Sequence, residues 1–182
     1  MSDGGGWTVL QRRVDDSQDF YLYWDDYKIG FGNRSRNFWL GNEKIYSLTN
    51  QRQYELRIDL VGRYGAPYYA KYDLFRISDE NDNFRLDVGD YSDGDAGDSL
   101  TYHDDKPFTA RDNDNDDFDY SYLSPECNNL ASYWEGAWWY CDYYDSSLNS
   151  PYDSYEFYWY TLPVYNYIKF TEMKVRAIDE EP

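Results

Sequence analysis

A chain of 182 residues is long enough for one domain with a real core, or for two subdomains sharing a small one. Its formal charge of −18 argues against nucleic acid and against an anionic membrane surface, since both draw on Lys and Arg facing the partner. No apolar run approaches the roughly 20 residues that span a bilayer, and Met1-Ser2-Asp3 opens no signal peptide, so the chain reads as a mature form or a fragment.

In chain order, Trp7 to Arg13 is rich in β-formers and predicts a strand. Asp15-Asp16-Ser17 offers N-caps for a short helix through Phe20, Tyr23, Trp24 and Tyr27, ending at Gly30-Phe31-Gly32. After Phe38-Trp39-Leu40, Asn42 is placed to cap a second helix, Glu43 to Leu48. The run Tyr54 to Leu60 alternates cleanly, with Leu56, Ile58 and Leu60 on one face and Arg57 and Asp59 on the other. Tyr68 to Ile77 and Asn83 to Val88 continue the strand pattern, separated by the turn Asp79-Glu80-Asn81-Asp82. Ile168 to Arg176 alternates again as a closing strand, and 178 to 182 is a tail. With 23 Tyr and few Ile or Val, the core must be heavily aromatic.

Between those ends the character changes. Residues 112 to 168 hold no Lys or Arg, twelve Tyr, and eleven Asp or Glu. The densest acidic run is Asp112-Asn113-Asp114-Asn115-Asp116-Asp117-Phe118-Asp119-Tyr120, a set of hard oxygen donors suited to Ca²⁺, which takes roughly six to eight of them. A solvated acidic turn is the competing reading. An EF-hand is ruled out, because its sixth and twelfth positions from Asp112 would be Asp117 and Leu123 instead of Gly and Glu. Cys127 and Cys141 fit no zinc spacing; they form either a disulfide, worth roughly 3 kcal/mol for a loop of about 15 residues in the chain-entropy account, or two buried thiols.

Several runs, taken together over residues 3 to 176, carry a resemblance. They are Gly4-Gly5-Gly6-Trp7-Thr8-Val9-Leu10-Gln11-Arg12-Arg13, Phe38-Trp39-Leu40-Gly41-Asn42-Glu43, Tyr54-Glu55-Leu56-Arg57, Gly97-Asp98-Ser99-Leu100, Gly136-Ala137-Trp138-Trp139-Tyr140 and Thr171-Glu172-Met173-Lys174. They resemble the fibrinogen-related domain, the C-terminal module of fibrinogen chains, ficolins, tachylectins, angiopoietins and tenascins. The resemblance implies a single α+β domain over 1–182, a twisted antiparallel sheet with short flanking helices (about 3–110) followed by a loop-rich calcium-binding subdomain (about 111–168) and the closing strand (169–177). It implies a calcium loop in which Asp114 and Asp116 give carboxylates and Phe118 and Tyr120 give carbonyl oxygens. It also places Trp138 and Trp139 beneath the binding loops as support.

The chain departs from the family pattern in the same region. Ser121 to Glu126 intervene before Cys127, Cys141 follows Trp138-Trp139-Tyr140 at once, and Tyr143-Tyr144 occupy the place of the family's Cys-His pair, which shapes a pocket for acetyl groups or a peptide amino terminus. Tyr mixed with Ser, Asp and Asn is the composition of a recognition surface, since a phenol ring gives contact area at low entropic cost. Tyr122, Tyr133, Tyr143, Tyr144, Tyr152, Tyr155 and Tyr158 are the candidate contacts, with Tyr120 beside them. A lone His103 and acids in runs offer no catalytic constellation, so the chain reads as non-enzymatic. The expectation is a secreted, monomeric, calcium-stabilised recognition domain, lectin-like or pattern-recognising toward carbohydrate or acetylated ligands, as in innate immunity. The competing expectation is a protein-interaction module with a variable binding surface whose loops were diversified for a protein target.

Overall fold

The computed structural model describes residues 6–116, 129–141, 145–162 and 168–178. The chain enters through β1 (Thr8–Arg13) and helix α1 (Trp24–Ile29), then forms the short hairpin β2 (Phe31–Gly32) and β3 (Phe38–Trp39) before helix α2 (Asn42–Thr49). Next come β4 (Tyr54–Gly62), β5 (Pro67–Tyr72), β6 (Phe75–Ile77), β7 (Leu86–Val88) and β8 (Tyr91–Gly94). Helix α3 (Leu130–Tyr133), the two-residue strands β9 (Ser146–Ser147) and β10 (Tyr158–Trp159), and β11 (Ile168–Ala177) complete it. Seven strands form one sheet in the order β2-β3-β1-β11-β4-β5-β8, antiparallel throughout; β6 pairs with β7, and β9 with β10. The fold is α+β, as the sequence predicts.

Alternation decides which way each central strand faces. Leu56, Ile58 and Leu60 of β4 lie opposite Val175, Met173 and Thr171 of β11, and all six are fully buried. On the other face the register sets Arg57 opposite Lys174 and Asp59 opposite Glu172, like against like. Such pairs repel, and the sheet answers with diagonal and neighbouring contacts. Lys174 pairs with Asp59 and, at 3.4 Å, with Glu172; Arg57 pairs with Asp59 at 2.7 Å, and Arg12 with Glu172 at 2.7 Å. Beneath the sheet, Tyr27, Trp39, Phe75, Phe108 and Trp139 pack with ring centroids about 5–6 Å apart, the aromatic core that scarce aliphatics require.

Four local expectations are corrected. The helix read from Asp15 onward covers only Trp24–Ile29, because the acids before it are engaged elsewhere. Asp15 accepts from Ser17 and Asn37, and Asp19 accepts from the Tyr21 amide, local bonds that compete with helical ones. The second helix starts one residue earlier than predicted. Gly41 stands at its N-cap, and Asn42 Oδ1 accepts from the Trp39 indole at 3.0 Å instead of capping. The run Tyr68 to Ile77 splits into β5 and β6 in different sheets, and strand geometry begins only at Leu86 because Asn83 and Phe84 are left-handed.

Gly30 and Gly41 let two segments cross at backbone contact. A Cβ on Gly41 would sit 2.4 Å from the Ile29 carbonyl oxygen, and one on Gly30 would sit 2.3 Å from that of Leu40. Both also have positive φ, 95° and 108°. Gly41→Ala is therefore expected to cost at least about 2 kcal/mol, read as a lower urea midpoint at unchanged slope.

Candidate functional site

The loop-rich half is fastened to the sheet by polar side chains of β1. Gln11 and Arg13 point the same way and are almost fully buried. The Gln11 amide donates to the Leu148 carbonyl (2.8 Å) and accepts from the Thr171 hydroxyl (2.8 Å). Arg13 donates to the carbonyls of Leu148 (3.3 Å) and Ser150 (2.9 Å), and its guanidinium lies 3.9 Å from the Phe20 ring centroid and 5.0 Å from that of Phe157. Burial pushes its pKa down to about 10, so it remains a cation. Asn149 closes this seam by donating to the Ala137 carbonyl at 3.0 Å. Neither Gln11 nor Arg13 was singled out from sequence, since polar residues on a strand read as its wet face.

Below the loops lies a floor of Trp138, Trp139 and His103, all fully buried. The Trp139 indole donates to the Phe84 carbonyl at 2.8 Å, and its ring stands 5.0 Å from that of Trp138. His103 Nδ1 meets the Trp139 carbonyl oxygen at 2.8 Å, while Nε2 accepts from the Asp145 and Ser146 amides at 3.1 Å each. A carbonyl only accepts, so Nδ1 carries the proton and the ring is neutral. The expected supporting role of the Trp pair matches this burial. His103 was read only as a lone histidine; here it links the floor to the segment that begins at Asp145.

The acidic loop grows out of the same floor. Thr109 and Trp138 exchange backbone hydrogen bonds (2.9 and 3.2 Å), and Ala110 and Asn113 close a tight turn (3.0 Å each). Asn115 folds back, donating its side-chain amide to the Phe108 carbonyl at 2.9 Å. Asp112 caps α1 by accepting from the Trp24 amide at 2.8 Å. Asp116 accepts from the Leu130 amide at 3.0 Å, at the start of α3, where Asn129 accepts from the Ser132 amide at 3.0 Å and donates to the Ala110 carbonyl at 2.9 Å. Asp114 is hydrogen-bonded to the Asp116 backbone and side chain, and loss of water raises its pKa above the usual carboxylate range. Two adjacent carboxyls, one resisting ionisation, are the donor chemistry a hard divalent cation neutralises. Asp114 and Asp116 are the two expected ligands that the described residues include, and no group of three or more His, Cys, Asp or Glu placed to hold a metal occurs among the described residues. Phe118 and Tyr120, the expected carbonyl donors, lie outside the described residues.

The candidate tyrosines separate by exposure. Tyr133, on α3, is 53 % exposed and Tyr155 is 75 % exposed, whereas Tyr152 and Tyr158 are half-buried. The Tyr152 hydroxyl donates to the Lys169 carbonyl at 2.6 Å, with the Val14 carbonyl 3.1 Å away as the alternative acceptor, so this ring serves the scaffold as well as the surface. Tyr158 sits on β10 with its ring 6.2 Å from that of Tyr160, which is 62 % exposed and was not among the predicted contacts. Alternation along Tyr158-Trp159-Tyr160, with Trp159 buried, was the signal for it. Tyr122, Tyr143 and Tyr144 lie outside the described residues. So does Cys127, the expected disulfide partner of the buried Cys141.

Comparison with known proteins gives one answer. The family model described as fibrinogen beta and gamma chains, C-terminal globular domain, matches residues 1–178. Fibrinogen-like protein A of Apostichopus parvimensis is 47% identical over 180 residues, covering 96% of this chain and 62% of that protein. Tenascin-R of Gallus gallus is 42% identical, covering 96% of this chain and 13% of that one. The chain thus spans less than two thirds of either curated relative. The fibrinogen-like globe domain of human ANGPTL2 superimposes with a TM-score of 0.88 at 37% identity, over 97% of this chain and 82% of that one. Lamprey fibrin D-dimer, solved with the peptide ligand Gly-His-Arg-Pro-amide, gives a TM-score of 0.86 at 30% identity, over all of this chain and 64% of that one.

Proposed function

This chain belongs to the family of fibrinogen beta and gamma C-terminal globular domains, and from that premise we propose that it is an extracellular, calcium-stabilised, non-enzymatic recognition domain for protein or peptide ligands. The observation that carries the reading is the pairing of an acidic loop with exposed phenol rings over one buried floor. Asp114 and Asp116 stand beside α3 and its Tyr133, while the segment with Tyr155 and Tyr160 is tied by Asp145 to His103. Residues 112 to 168 contribute eleven acids and no Lys or Arg, so a cationic partner is drawn in and an anionic one repelled. The ligand named for the lamprey structure, with a free amino terminus, an Arg and an amidated end, has that charge. A bound Ca²⁺ would be held by Asp114 and Asp116, with carbonyls of Phe118 and Tyr120 completing the set, and would compensate the lost hydration that raises the Asp114 pKa. The tyrosines then supply contact area on loops that the ion and the Gln11–Arg13 seam hold in place.

Titration calorimetry tests this directly. Gly-His-Arg-Pro-amide is expected to give saturable heat that weakens with added salt and is lost with EDTA. Heat from N-acetylglucosamine without heat from the peptide would reverse the assignment toward a lectin, and silence from both would remove this face as a small-ligand site. Calcium at 100-fold excess over its dissociation constant is expected to stabilise the fold by about 2.7 kcal/mol, raising Tm by roughly 5–10 °C. In Asp114→Asn the rise should vanish, as seen by differential scanning calorimetry.

A further inference from the structure

We propose that Asn33 is an N-glycosylation site. Asn33-Arg34-Ser35 is the one Asn-Xaa-Ser/Thr acceptor sequence in the chain, and Xaa is not Pro. Its place in the fold suits the chemistry. The tripeptide occupies the exposed turn between β2 and β3, in which residues 32 to 36 are all exposed. Asn33 Oδ1 accepts from the Ser35 amide at 2.9 Å, an Asx-turn that faces the acceptor amide away from the backbone. Asn33 Nδ2 and Ser35 Oγ make no hydrogen bond among the described residues. Asn37, Asn42, Asn129 and Asn149 differ on both counts. Each is buried or half-buried, each has a side chain bonded within the fold, and none heads an acceptor sequence.

The acceptor takes an oligosaccharide from a polyprenyl-diphosphate donor. Asn33 Nδ2 attacks the anomeric carbon, the N–C bond forms as the C–O bond to diphosphate breaks, and the diphosphate leaves with that electron pair. The amide nitrogen gives up one proton, and nothing is oxidised or reduced.

The folded turn is clamped at its base. Arg34 O accepts from Arg12 at 2.8 Å, Arg36 pairs with Asp15, and Asn37 donates to Ser17 Oγ at 2.9 Å. A transferase needs a pliable acceptor, so the reaction must precede this clamping. The sheet order provides the interval, because β1 and β4 are neighbours only through β11, the last strand made. From Asn33 to Ile168 the ribosome needs roughly 7–27 s at about 5–20 residues per second, and until then the sheet is unfinished. Once attached, the sugar stands beside β2, the edge strand of the sheet, where it blocks edge-to-edge pairing.

The inference rests on passage through the secretory route, and the test imposes that route. The full chain, preceded by a cleavable signal peptide, is secreted from cultured animal cells and its intact mass measured before and after peptide N-glycanase. Wild type is expected to carry one oligosaccharide, removed by the enzyme with conversion of Asn33 to Asp. Ser35→Ala, which keeps the Asn33 side chain and the turn amide, should lose the added mass; Ser35→Thr should keep it. Secreted wild type at its bare polypeptide mass, or added mass that persists in Ser35→Ala, overturns the proposal. Peptide calorimetry on the same material reports separately on the recognition reading.

Discussion

Trp139→Ala is expected to remove most of the stability of this domain. The side chain is fully buried, with Trp138, Phe108, Phe75 and Trp39 at ring distances of 5.0, 5.2, 6.2 and 6.2 Å. Deleting a buried Trp costs about 3–5 kcal/mol from transfer and cavity together. The Phe84 carbonyl, which now accepts from the indole at 2.8 Å, would lose its donor in a site closed to water, a further ~1–3 kcal/mol. Against a typical ΔG of about 5–15 kcal/mol, the sum leaves a protein at the margin of folding. Urea unfolding followed by far-UV circular dichroism should give a midpoint near zero denaturant for Trp139→Ala. Trp139→Phe should lose mainly the hydrogen bond and fall between. A Trp139→Ala midpoint within experimental error of wild type would mean that the aromatic floor does not support the loops above it.

Acid should loosen the same floor through His103, and in a defined window. The ring is fully buried and neutral, and burial pushes its pKa down to about 4, opposed by the Trp139 carbonyl and by Asp98 and aided by Lys106. In the unfolded chain His titrates near 6.5. Above that pH neither state binds the proton and the stability is intact. As pH falls from about 6.5 to about 4, the unfolded chain binds a proton the folded one refuses, so stability declines, by of order 3 kcal/mol. Below about 4 this contribution has run its course. Protonation also sets an N–H against the Asp145 and Ser146 amides, which now donate to Nε2. Many carboxylates titrate in part of this range, so the difference from a variant is the informative quantity. His103→Gln, which can still donate and accept, is expected to be less stable than wild type at pH 7.5 and to show a shallower decline between pH 6.5 and 4.5. Parallel curves for the two proteins would rule out His103 as the source.

Much of the scaffold was legible because its signals are local. A strict two-residue alternation specifies Leu56, Ile58 and Leu60 as an inward face whatever they pack against, and the structure buries all three. Six runs in order over residues 3 to 176, Phe38 to Glu43 among them, carried the family resemblance, and Gly41 could be seen in sequence although its reason could not. That reason is a backbone crossing with Gly30, eleven residues away in sequence. Failures came where a side chain had a distant partner. Asp15 looked like a helix cap and instead holds Arg36 and Asn37; Asn42 looked like a cap and instead holds the Trp39 indole.

Composition and pattern alone determined a sheet protein with short helices, an aromatic core and an acidic, cation-poor segment, the stretch to which the calcium and ligand chemistry is here proposed to belong. These are properties of neighbouring residues and of totals, and they survive without knowing what touches what. Only the tertiary structure decided that β11 lies between β1 and β4, that Gln11 and Arg13 turn inward to hold residues 148–150, and that His103 accepts two backbone amides. Each of these joins groups more than forty positions apart, where hydrogen-bond demand in a dry interior, and no local propensity, selects the partner.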